Sequence, residues 1–360
     1  MALLRRGQRC LLASSSVSLV LLLLVLYGSM SSPHPAGGGL DRYQLTGPPL
    51  YKLDLGWPRN PELFGGPVFA VAVDPHASVV YVAQRGVNVP KVLVFSTDGR
   101  FLTSWNSSDL ETPHGMFLAG SGSQNPSVWV TDVGTGPLGH TVKEFSPTGT
   151  LLQVLGTPGR PGSGLDPLQF DQPSEVFVDP SGDMYVVDGD GGLNNRLLKL
   201  DRDRRVVWVH GGRAGAGPAQ FYIPHSVTVD GFRRVWVADR GNRRIQVFSA
   251  GTGDWLGSWG SCFGGDDGPY SVRVSPDRRV LVVVRLHSGQ VSLLAAPPPG
   301  NIGQCTVVSV VQLGDQVQPH LVDLDPGTGD LYVAQIGAQQ AQKFTPFTLG
   351  GLGGLGGGLR

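Results

Sequence analysis

Short apolar runs of period two, each cut off by turn residues, recur from about residue 65 to about residue 346. Six strand cores stand out: Tyr81-Val82-Ala83-Gln84, Trp129-Val130-Thr131-Asp132, Tyr185-Val186-Val187-Asp188, Trp236-Val237-Ala238-Asp239, Leu281-Val282-Val283-Val284 and Tyr332-Val333-Ala334-Gln335. The steps between them are 48, 56, 51, 45 and 51 residues. Before the cores run alternating segments that often close on Asp, as at 71–74, 176–179, 227–230 and 324–325. After them come a third segment, such as 142–145 or 244–248, a Gly-bearing turn and a fourth such as 255–259. Four strands in about 45–50 residues make one propeller blade. Six copies predict an all-β, six-bladed β-propeller. The sixth copy lacks a clear fourth strand, and the isolated segment 50–55 is expected to supply it, closing the ring and removing its free edges.

Gly (53) and Pro (28) together exceed a fifth of the 360 residues, yet 40% of the chain is apolar. That combination fits many short strands with tight turns rather than disorder, and it excludes helix-rich classes. Lys plus Arg and Asp plus Glu are 28 each. With no basic field to collect phosphates, nucleic acid is not an expected partner.

The ends read differently. Arg5, Arg6 and Arg9 precede an apolar run at 17–26 and then Gly28, Ser29, Ser31 and Ser32, the order of a secretory signal over residues 1–32. The alternative is a signal anchor, since 11–27 is at the short limit for spanning a bilayer. Both place the body in a lumenal or extracellular compartment, secreted in the first case and membrane-anchored in the second. Residues 33–49 read as a flexible segment, 50–346 as the propeller and 347–360 as a Gly/Leu-rich disordered tail. Removing the leader removes Cys10 and leaves Cys262 and Cys305, a candidate disulfide in an oxidising compartment, with two buried thiols as the alternative. Asn106-Ser107-Ser108 is an N-glycosylation sequon on a polar stretch.

The candidate chemistry lies on the propeller axis. Aligned on Val71, Met116, Val176, Val227, Val272 and Val322, the residue two places earlier is Phe69, His114, Ser174, His225, Tyr270 and His320. Innermost strands line the channel, so these six form a ring, with the histidines on alternate blades about 120° apart. Three imidazoles converging on the axis offer three nitrogen ligands with a fourth position open, as in catalytic zinc sites. The alternative is a polar channel plug. Each histidine follows a proline (Pro113, Pro224, Pro319), which fixes the backbone approach. His34, His76, His140, His210 and His287 share no such register.

The run Trp236-Val237-Ala238-Asp239-Arg240-Gly241-Asn242-Arg243-Arg244-Ile245-Gln246-Val247-Phe248 resembles an NHL repeat. The three Pro-His steps resemble those of the peptidyl-hydroxyglycine amidating lyases, NHL-type propellers whose axial zinc is held by three such histidines. The resemblance implies zinc at His114, His225 and His320. It also implies that Arg85 binds a substrate carboxylate, for which a guanidinium fork is suited. In that family the metal acidifies the substrate hydroxyl, a tyrosine takes part as base, and an amide and glyoxylate result.

The family tyrosine belongs in an Asp-Gly-Tyr step after the third core strand. Here the segment reads Asp188-Gly189-Asp190-Gly191-Gly192-Leu193-Asn194-Asn195-Arg196, with extra residues and no tyrosine. Leu321 replaces the family's calcium-binding carboxylate, so no calcium ligand carries over there, and the family's cysteine pairs are absent. Surrogates for the base are Tyr270, read otherwise as channel packing, and Asp190, read otherwise as a turn carboxylate. Asp188, Asp190 and Asn194 lack the ligand series of a calcium loop. Residues 211–217 resemble a phosphate loop only in composition, and 297–299 is an extended linker.

Two functions stay open: a binding or scaffold propeller that keeps the metal site without the lyase reaction, and a zinc lyase or hydrolase. The expected ligand is a protein or a small carboxylate or peptide, and the expected state is a monomer. A ubiquitin-ligase or RNA-binding role would need a Cys-rich module or a basic face, and neither is present.

Overall fold

The computed structural model describes residues 50–105 and 108–347. The leader, the segment 33–49, the sequon residue Asn106 and the tail from 348 lie outside the described residues. The described chain is twenty-four strands in six four-stranded antiparallel sheets. Strand β1 (Leu50–Leu53) comes first. Blade one is β2 (Val68–Asp74), β3 (Val79–Gln84), β4 (Val92–Ser96) and β5 (Phe101–Trp105). Blade two is β6 (Pro113–Ala119), β7 (Ser127–Asp132), β8 (Thr141–Phe145) and β9 (Leu151–Leu155). Blade three is β10 (Pro173–Val178), β11 (Met184–Asp188), β12 (Asn195–Leu200) and β13 (Val206–Gly212). Blade four is β14 (Pro224–Val229), β15 (Arg234–Asp239), β16 (Arg244–Ser249) and β17 (Trp255–Trp259). Blade five is β18 (Pro269–Val274), β19 (Val280–Arg285), β20 (Gln290–Ala295) and β21 (Val307–Gln312). Blade six is β22 (Pro319–Leu324), β23 (Leu331–Gln335) and β24 (Gln340–Phe347), with β1 as its outer strand.

The closure expected from the sequence is therefore present: Leu50 pairs with Phe347 and Leu53 with Phe344. The strand is shorter than the segment 50–55, because Asp54 already turns and accepts from Gly56 N. Burial follows position in the blade. The second strands β7 and β15 are buried on both faces because a neighbouring blade covers each side. The outer strand β9 alternates, with one face toward solvent. Apolar clusters fill all six blade interfaces, including the one between blades six and one, where Val71, Val82 and Phe95 meet Tyr332 and Ala334.

The Asp residues that end the innermost strands act as turn caps. Asp74 accepts from the backbone N–H of His76 and Ala77, Asp179 from Ser181, and Asp230 from Phe232 and Arg234. Cys262 and Cys305 are disulfide-bonded, joining the loop after β17 to the loop before β21. Of the 211–217 stretch, Gly211 and Gly212 end β13 and 213–217 begins the connection between blades three and four, held by Arg244 through the carbonyls of Ala216 and Gly217. Arg234 holds the 297–299 linker in the same way, through the carbonyls of Pro297 and Pro298. Among the described residues no helix is long and apolar enough to cross a membrane.

Candidate metal centre

Every innermost strand carries a register shift at its start, between Val68 and Ala70, Pro113 and Met116, Pro173 and Glu175, Pro224 and Ser226, Pro269 and Ser271, and Pro319 and Val322. The ring residues Phe69, His114, Ser174, His225, Tyr270 and His320 all sit inside these bulges. A bulge leaves its extra residue out of the ladder and re-aims the side chain, here toward the axis. It also frees a carbonyl. His114 Nδ1 donates to Ser174 O at 2.7 Å, His225 Nδ1 to Tyr270 O at 2.6 Å, and His320 Nδ1 to Phe69 O at 2.8 Å. Each imidazole is thus oriented by the ring residue of the next blade. Gly115 makes room for this, since a Cβ there would lie 2.4 Å from Ser174 O.

A carbonyl only accepts, so each Nδ1 carries a hydrogen and each Nε2 is the free ligand atom. The three ring centroids form a near-equilateral triangle with sides of 4.8, 4.7 and 4.8 Å. One ring nitrogen from each histidine lies within 4.8 Å of the others, and all three residues are buried. His225 Nε2 is buried without a hydrogen-bond partner. An unpartnered, fully buried acceptor aimed at two other imidazoles is costly unless a cation is shared among them, so the donor set fits a divalent metal. Burial, with the nearby Arg240 charge, holds His225 well below the ordinary imidazole pKa. Burial, with His114 and His225, does the same to His320. Neutral imidazoles are the metal-binding form.

The loop after β11 places the Asp190 carboxylate against His114 and His225. Its Oδ2 is 2.9 Å from His114 Nε2, and its Oδ1 is 4.0 Å from His225 Nε2 and 3.1 Å from Arg240 Nη2. Burial pushes this carboxyl up, but His114, His225 and Arg240 together hold it well below the usual carboxylate range. Asp188 and Asn194 do not join it in a calcium loop: Asp188 is buried against Arg196 and Asn194. Leu321 is buried in an apolar cluster with Ala70 and Met116, far in chemistry from a calcium ligand.

Arg85 lies flat over Phe69, its guanidinium carbon 3.3 Å from the ring centroid, and its Nε donates to Pro113 O. Its Nη2 is buried with no acceptor. Burial pushes this guanidinium down to about 10, against the pull of Asp190 and Asp132. Tyr270 stands edge-on to His225 at 5.0 Å and to His320 at 6.0 Å, and its hydroxyl meets His287 Nε2 at 3.5 Å. It lies in the axial ring, packed against two of the three histidines. Sequence reading missed Arg240, which packs over Tyr270 at 4.7 Å and pairs with Asp190. The signal was available: Arg240 follows Asp239 at the same step after its core strand as Arg85 follows Gln84.

A family model for the NHL repeat matches residues 221–248, the region of β14 to β16. The NHL repeat-containing protein 3 of Mus musculus is 58% identical over 298 residues, which is 83% of this chain and 85% of that protein. The chain belongs to the NHL repeat-containing protein 3 family. A more distant relative of this NHL protein is the probable peptidyl-alpha-hydroxyglycine alpha-amidating lyase pgal-1 of Caenorhabditis elegans. It is 30% identical over 168 residues, 46% of this chain and 45% of that one. A solved streptogramin B lyase structure aligns with a TM-score of 0.54 over 82% of this chain and 98% of its own, at 14% identity. At that identity the likeness is one of fold, and it agrees with the propeller described above.

Proposed function

We propose that the protein is a secreted, N-glycosylated NHL propeller, monomeric, that carries zinc on its axis and binds a carboxylate-bearing ligand beside it without the lyase reaction. The observation that carries this reading is the set of three imidazoles pinned through Nδ1 with Nε2 turned inward. A divalent ion bound there would supply a fixed positive charge beside the ligand's carboxylate. Arg85 supports the ligand class: its buried, unpaired Nη2 lacks an acceptor that a carboxylate would provide. Against the parent reaction stands the residue beside the triangle, an aspartate already ion-paired to Arg240 where the family resemblance implies a tyrosine.

A second reading, a zinc lyase or hydrolase with Asp190 in the tyrosine's place, draws on the contact between Asp190 and His114. The test starts with protein purified from the medium of secreting cells. Elemental analysis is expected to give about one zinc per chain, lost when His114, His225 and His320 are all changed to Ala. Calorimetry with an N-acylglycine peptide is expected to show binding that Arg85→Ala abolishes. Glyoxylate release from an α-hydroxyglycine peptide would move the conclusion to the second reading. A folded wild type that takes up no metal and binds no acylglycine would overturn both.

A further inference from the structure

The geometry points to Asp190 as the fourth protein ligand of the axial centre, making it a closed site of three imidazole nitrogens and one carboxylate oxygen. This rests on the proposed metal site and sharpens it. A zinc ion with four protein ligands is a structural centre, whereas catalysis needs a coordination position left open.

The chain holds Asp190 in place from both sides. Gly189 and Gly191 adopt φ of +144° and +91°, conformations that side-chain-bearing residues rarely take. A Cβ on Gly189 would fall 1.8 Å from Asn194 O, and one on Gly192 would fall 2.4 Å from Asp171 O. The backbone N–H groups of Gly189 and Asp190 both donate to Gln172 O, at 3.1 and 2.9 Å, and Leu193 N donates to Asp171 Oδ2 at 2.8 Å. A loop fixed by this many main-chain contacts presents its one acidic side chain in a single direction.

The contacts of that side chain are those of a ligand. Asp190 Oδ2 lies 2.9 Å from His114 Nε2, the ring nitrogen turned inward because Nδ1 donates to Ser174 O. His225 Nε2, buried and unpartnered, faces the same carboxylate from 4.0 Å. Arg240 engages the other oxygen, as an outer partner does when it orients a ligating carboxylate, and it rests on Tyr270.

The test uses cobalt(II) as the probe, with the secreted protein, Asp190→Ala, Asp190→Asn and the triple His→Ala variant. Circular dichroism and thermal melts identify the folded variants. The wild type is expected to bind cobalt with tetrahedral visible absorption that azide does not change. Both Asp190 variants are expected to bind it at least roughly tenfold more weakly and with a spectrum that shifts on adding azide, because a coordination position has opened. If either folded Asp190 variant keeps wild-type affinity and an azide-insensitive spectrum, or if azide shifts the wild-type spectrum, the ligand assignment is overturned while the three-histidine site stands. No cobalt uptake by the folded wild type would overturn the metal site itself, and the assignment with it.

Discussion

Arg273, Glu175 and Asp323 form a buried charge network on the innermost strands of blades five, three and six. Arg273 Nη2 lies 2.6 Å from Glu175 Oε1 and Nη1 lies 3.1 Å from Oε2, a two-pronged pair, while Nε is 3.6 Å from Asp323 Oδ1. Glu175 Oε2 also accepts from Val227 N in blade four, and Asp323 Oδ2 accepts from Val73 N in blade one. One guanidinium thus helps tie five blades together. Replacing it by Met keeps the volume but leaves the buried Glu175 carboxylate and the part-buried Asp323 carboxylate without their shared cation. Breaking a buried pair in this way costs about 3–5 kcal/mol. The unfolding entropy of roughly 300 ordered residues is about 0.6 kcal/mol/K, so Arg273→Met is expected to lower the melting temperature by about 5–8 °C. Differential scanning calorimetry at neutral pH measures this, with Glu175→Leu and the double variant Glu175→Leu, Arg273→Met completing a cycle. The double variant should lose less than the sum of the two singles, since removing both partners leaves fewer stranded charges. A melt within about 1 °C of wild type for Arg273→Met, or full additivity in the cycle, would show that water or relaxation relieves these charges and that the reasoning is wrong.

Other expectations follow from the same structure. Changing Cys262 and Cys305 to Ala should cost about 4 kcal/mol by the chain-entropy relation for their separation of 43 residues, read as a lower midpoint in guanidinium. Gly189→Ala should displace the loop that carries Asp190, because its Cβ would meet Asn194 O; cobalt titration should show weaker uptake while the melt changes little. Burial pushes the Tyr51 phenol up to about 12 and that of Tyr332 higher still. In the unfolded chain these phenols ionise near 10, so the folded state holds more protons above that pH, and stability falls as pH rises. The loss is about 1.4 kcal/mol per unit for each tyrosine. Denaturant midpoints measured from neutral pH upward, with tyrosinate absorbance followed alongside, should show the decline beginning near 10; a flat midpoint through that range would count against it.

The repeat made most of the fold legible. Six core strands at nearly even spacing fixed the blade count, and the isolated segment at residue 50 revealed how the ring closes. The axial histidines could be aligned because every blade opens with the same bulge, so one register placed all six ring residues. Other features had no such handle. Arg273 and Glu175 are 98 residues apart and read, one strand at a time, as ordinary charges in an alternating pattern. Asp190 lies on the irregular loop between β11 and β12, and where that loop points is set by contacts of its backbone N–H groups with Gln172 and Asp171 that no periodicity encodes. Arg240 was legible, since it follows its core strand at the same step as Arg85 follows blade one's, but within so regular an NHL-like run the arginine reads as repeat consensus.

The division between regular and irregular parts matches the division between holding a metal and deciding what it does. Histidine donors come from blades two, four and six, and the carbonyls that orient them come from the ring residues of blades three, five and one. Because those acceptors are main-chain atoms, changes to the side chains of Ser174, Tyr270 or Phe69 leave the acceptors themselves in the sequence, although the rings of Phe69 and Tyr270 also pack on the imidazoles. The donor triangle thus draws on the bulges, the histidines and these two rings. The charged groups around the triangle come instead from positions just past the core strands: Arg85 after blade one's, stacked on Phe69, Asp190 after blade three's, against His114, and Arg240 after blade four's, paired with Asp190. Lengthening or shortening a single loop at that level can exchange the group beside the three histidines without disturbing the bulges that place them. The histidine triangle is thus a product of the repeat, and the Asp190 carboxylate against it a product of one loop.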